Sequence, residues 1–80
     1  ESQQEVMALK LGPLQRQWLV VTLQAVPQGG QHAAEAALME PGAGRMSSVQ
    51  KARVLALLVA APARERKSLA SWIKRQGTLT

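Results

Sequence analysis

The 80-residue sequence predicts an all-α fold, a small array or bundle of four to five short helices. Three observations carry this expectation. Apolar residues recur at three- and four-residue spacing, Pro and Gly fall between those segments, and capping side chains stand in front of two of them. One segment pulls the other way. Residues 18–23, Trp-Leu-Val-Val-Thr-Leu, are rich in β-branched side chains; as a strand they would turn the expectation into a winged-helix-like α+β arrangement.

Taken in order, Ser2 with Glu5 reads as a capping box for a short helix that runs to Leu11 and stops at Gly12. Pro13 suits the first position of a second helix, reaching about residue 26 before Pro27-Gln28-Gly29-Gly30. Residues 31–39 make an Ala-rich third helix of good propensity. Glu40-Pro41-Gly42-Ala43-Gly44 follows, the most flexible-looking stretch, and marks a hinge at 40–46 inside what is otherwise one domain, residues 1–80. Ser47 with Gln50 is a second capping box, opening a fourth helix over residues 48–61. From Val54 onward that helix is apolar nearly all round, which marks it as the central, most buried element. Pro62 ends it. The fifth helix, residues 63–76, is closed by Gly77, with Lys74 and Arg75 in its last turn, where cations suit the helix dipole.

Composition narrows the chemistry. A chain of this size buries only about 60% of its unfolded surface, so the core is small, and a partner or second copy is expected to help complete it. The only aromatics are Trp18 and Trp72, both expected in the core. The absence of Cys removes disulfides, thiolate metal sites and cysteine nucleophiles. There is no Asp, so five Glu and one His carry all the acid–base and hard-metal chemistry. His32 and Glu35 could share a helix face as half a metal site, but no further ligand is evident. Ser47, Ser48, Ser68 and Ser71 lack a base partner, and the lone G-x-G of Gly42-Ala43-Gly44 has neither the remaining glycines nor the Lys of a phosphate loop. No enzyme, cofactor or metal is expected. The apolar runs fall short of the ~20 residues that cross a bilayer, the first residues do not form a basic leader, and an intracellular setting is favoured.

Charge is the most informative quantity. Residues 1–40 set Lys10 and Arg16 against Glu1, Glu5, Glu35 and Glu40, a net of −2. Residues 41–80 set eight cations against Glu65, a net of +7. A basic half joined to a weakly acidic one implies an anionic partner. At ~100° per residue, Leu69, Trp72 and Ile73 share one face of the last helix. Arg64, Lys67, Lys74 and Arg75 lie opposite, with Ser68 and Ser71 between them. Such a face can lie along phosphates.

The fourth and fifth helices also have the outline of a helix-turn-helix pair, although the first is long and the turn holds Pro62 where Gly is usual. Arg64-Glu65-Arg66-Lys67 stands ahead of Ser68 in the manner of a kinase target, and a phosphate there would cancel much of the basic face. The expected function is a nucleic-acid-binding regulator, with duplex DNA favoured because Phe and Tyr are missing as stacking platforms. Its contacts would be Lys51, Arg53, Arg64, Lys67, Ser71, Lys74 and Arg75. The other expectation is a protein-interaction module, an adaptor, assembly or docking domain. In that reading an acidic protein surface meets the cations, or the apolar helices pack on a partner or a second copy.

Overall fold

The computed structural model describes residues 2–78, and the side chains of residues 3–76. They form five helices, α1 (Ser2–Leu9), α2 (Pro13–Ala25), α3 (Gln31–Ala37), α4 (Ser48–Ala60) and α5 (Ala63–Thr78), with a single 3-10 turn at Pro41–Ala43. No strand occurs among the described residues, so the winged-helix alternative falls.

The segment that raised it, residues 18–23, lies within α2. Trp18, Leu19, Val20, Thr22 and Leu23 are all buried there, with Val26 just beyond the helix end. The β-branched residues lose only a few tenths of a kcal/mol of helix propensity, far less than burial returns. Thr22 meets its own hydrogen-bonding need inside the helix, its Oγ1 donating to the Trp18 carbonyl at 2.7 Å.

α2 packs most extensively on α5 and also carries the 3-10 turn; α4 packs on α3 and α1. The centre of the fold is therefore α2, not α4. α4 buries Val54, Leu57 and Leu58 and partly covers Leu55 and Val59, but Ala52, Ala56 and Ala60 face outward. Reading α4 as apolar nearly all round from Val54 onward counted Ala56 and Ala60 as core. Alanine favours helix wherever it sits and loses little by meeting water.

Helix ends account for most of the boundary differences. α1 stops at Leu9 rather than Leu11 because Lys10 adopts φ 54°, the left-handed cap conformation that glycine usually supplies. Gly12 instead stands at the N-cap of α2. Ser2 is already the first residue of α1, and its side chain lies outside the described residues, so the Ser2–Glu5 capping box expected there does too. α3 ends at Ala37, and α5 runs through Gly77 to Thr78 instead of closing at the glycine.

The second capping box forms in full. Ser47 Oγ accepts from the Gln50 backbone N–H at 3.1 Å, and Gln50 Oε1 accepts from the Ser47 N–H at 2.8 Å. Gln50 Nε2 also donates to the Leu9 carbonyl at 2.7 Å, tying the end of α1 to the start of α4. Residues 40–46, the expected hinge, are seated on α2: Ala43 and Met46 are buried, and Trp18 Nε1 donates to Glu40 Oε1 at 3.0 Å. Gly42 lies so close to the Trp18 ring that an added Cβ would fall 2.7 Å from Cδ1.

Candidate anion-binding face

α5 begins where the Pro62 carbonyl accepts the Arg66 N–H at 3.0 Å. Its Leu69, Ala70 and Ile73 are buried against the core. Arg64, Lys67, Ser68, Ser71, Lys74 and Arg75 are all exposed. Helical spacing sets these residues on the opposite side from the buried ones. Glu65, the one carboxylate of α5, is half-buried on its flank, so no negative side chain interrupts the outward face.

Five of the seven expected contact residues thus come together on one surface: Arg64, Lys67, Ser71, Lys74 and Arg75. The other two stand on α4. Lys51 is half-buried in the first turn of α4, and Arg53 is exposed two residues later, about 160° away around the helix axis. Arg53 lines a groove of about 510 Å³ between α1, α4 and the start of α5, together with Glu5, Glu65, Ala56, Ala60 and Pro62. Glu5 and Glu65 are the two carboxylates that share this groove with Arg53.

Arg66 is one of the eight cations of the basic half, yet it is 4% exposed. Its Nε donates to the Ala61 carbonyl at 2.7 Å and its Nη1 to the Val26 carbonyl. Those are the C-cap residues of α4 and α2. A cation at two helix C-termini meets the negative ends of two dipoles as well as orphan carbonyls. Nη2 is buried with no hydrogen-bond partner among the described residues, and burial pulls the guanidinium pKa below its ordinary value. Arginine nonetheless stays protonated, so its charge is structural. The available signal was its spacing: Arg66 lies three residues before Leu69 and seven before Ile73, on the apolar stripe.

The second surprise is a groove of about 210 Å³ lined by Val6, Met7, Lys10, Leu11, Arg16, Trp72, Ile73 and Gln76. Trp72, expected in the core, is only half-buried and lines this groove, whereas Trp18 is buried as expected. The helix-turn-helix outline does not carry over into packing, since α5 rests chiefly on α2 while α4 rests on α3 and α1. His32 is exposed, and Glu35 accepts from Gln31 Nε2 at 3.3 Å. Among the described residues no group of three or more potential ligands could hold a metal ion. Among the described residues no helix is long and apolar enough to cross a membrane.

No protein-family model, curated protein or solved structure matches this chain.

Proposed function

We propose that this chain is a non-enzymatic module that binds duplex DNA through the outward face of α5, in the service of regulation. The observation that carries the reading is the face itself. Four cations and two hydroxyls share one exposed side of a helix whose other side is locked in the core. Guanidinium, ammonium and hydroxyl groups are the side-chain donors that meet phosphate oxygens, and contacts of this kind position a protein on a duplex without reading its sequence. The 16 residues of α5 extend about 24 Å, the axial length of about seven base pairs.

The test is fluorescence anisotropy of a labelled mixed-sequence duplex at low salt, comparing the parent with Lys67→Gln/Arg75→Gln. Both positions are exposed, so the fold should be unaffected. We expect at least a tenfold loss of affinity, since two phosphate contacts are removed. Equal affinity in parent and variant would move the contact elsewhere.

One observation favours a second reading, a protein-interaction module. The outward face of α2 carries Leu14, Gln17, Val21, Gln24 and Ala25, with no charge; Leu14 is 68% and Val21 64% exposed. An uncharged stripe of this kind suits a protein partner or a second copy. Association through it would be insensitive to salt and would show as a dimer by light scattering.

A further inference from the structure

We infer that the groove between α1, the start of α2 and the end of α5 is a second phosphate-contact site, which takes the DNA backbone beyond the outward face of α5. The inference rests on the DNA-binding reading and extends its footprint to residues from the acidic half of the chain. Residues 1–40 contain two cations, Lys10 and Arg16, and both line this groove. Among the described residues no carboxylate lines it. Arg75 and Ser68, on the outward face of α5, lie about 60° and 40° around the helix from Trp72, so the groove borders that face.

The groove is shaped for part of a polymer. Its volume of about 210 Å³ is below the roughly 300–1,000 Å³ of pockets that enclose whole small ligands. One phosphate and the edge of its sugar need less enclosure. Val6, Leu11 and Ile73 supply apolar lining, and the half-buried indole of Trp72 offers a flat wall. Arg16 is half-buried and lines the groove. Lys10 projects from the left-handed turn that ends α1. The site also lies toward the C-terminal end of α5, the negative end of its dipole, where an anion is held only if cations outweigh that field. Lys10, Arg16 and Arg75 are placed to do so.

The experiment compares the parent with Lys10→Asn/Arg16→Gln, Asn being tolerated at positive φ. Duplex binding is followed by anisotropy over a salt series, and Trp72 by acrylamide quenching; Trp18 is buried and contributes little to quenching. The parent should show Trp72 protected by bound duplex. The variant should bind at least tenfold more weakly and lose about 1.8 from the magnitude of its salt slope, at about 0.9 per phosphate contact. Protection of Trp72 should be lost with it. If the parent binds duplex but the variant keeps its slope and Trp72 stays open to acrylamide in both complexes, the groove inference fails and the α5 reading stands. If the parent does not bind duplex at all, or binds phosphatidylserine vesicles in its place, both fall together.

Discussion

Replacing Arg66 with Met should lower stability by about 2–4 kcal/mol, although Arg66 touches no surface that a partner could reach. The substitution keeps much of the apolar stem and removes the donors. It leaves the Val26 and Ala61 carbonyls unpaired at positions that are 4% and 5% exposed, where water has little access. An orphaned buried acceptor costs about 1–3 kcal/mol, and there are two of them. Part of that loss is offset, because the desolvated guanidinium and its unpartnered Nη2 disappear as well. Against a total stability of about 4–12 kcal/mol for a chain of this length, the change is large. Arg66→Lys keeps the charge but places one ammonium where a fork spans two helix ends, and should recover only part of the loss. Urea denaturation followed by far-ultraviolet circular dichroism reads both variants. A shift below about 0.5 kcal/mol for Arg66→Met would show that the two helix ends need no staple.

Leu19→Ala should cost still more in the core, about 3–5 kcal/mol. Leu19 is fully buried in α2, the helix that packs most extensively on α5, so the cavity would open at the main helix–helix seam. With Trp18 and Trp72 the only aromatics, no large neighbour stands ready to collapse into the space. Val21, two residues on, is the internal control: it is exposed, and Val21→Ala should change stability by less than about 0.5 kcal/mol. The contrast also distinguishes α2 as a helix from α2 as a strand. Alternation along a strand would put residues 19 and 21 on the same face, and both substitutions would then be costly. Equal costs at the two positions would overturn the helical placement of this segment.

These contrasts show which features were legible in the sequence. Breakers and caps spoke clearly: Pro13, the Ser47–Gln50 box and Pro62 stand where α2, α4 and α5 begin. The outward face of α5 was legible because it depends on the 3.6-residue period alone. What was not legible depended on packing between distant segments. Arg66 reads as one more cation of the basic half until the ends of α2 and α4 converge on it. Lys10 and Arg16 read as isolated charges in an acidic half until α1 and α2 bring them to Trp72. The burial of α4 was overestimated for a related reason, since hydropathy cannot distinguish an alanine that packs from one that only favours helix.

The measurement that bears most directly on the central claim is the salt dependence of duplex binding by the unmodified chain. Four cations on the outward face of α5, joined by the two in the adjoining groove, imply a slope of about −3.6 to −5.4 in log affinity against log salt. Between 50 and 200 mM salt the affinity should then fall by about a hundredfold to a thousandfold. A fall of that size, followed by anisotropy, is the result this structure predicts. Absence of binding at 50 mM, or an affinity unchanged at 200 mM, would contradict it and turn attention to the uncharged face of α2.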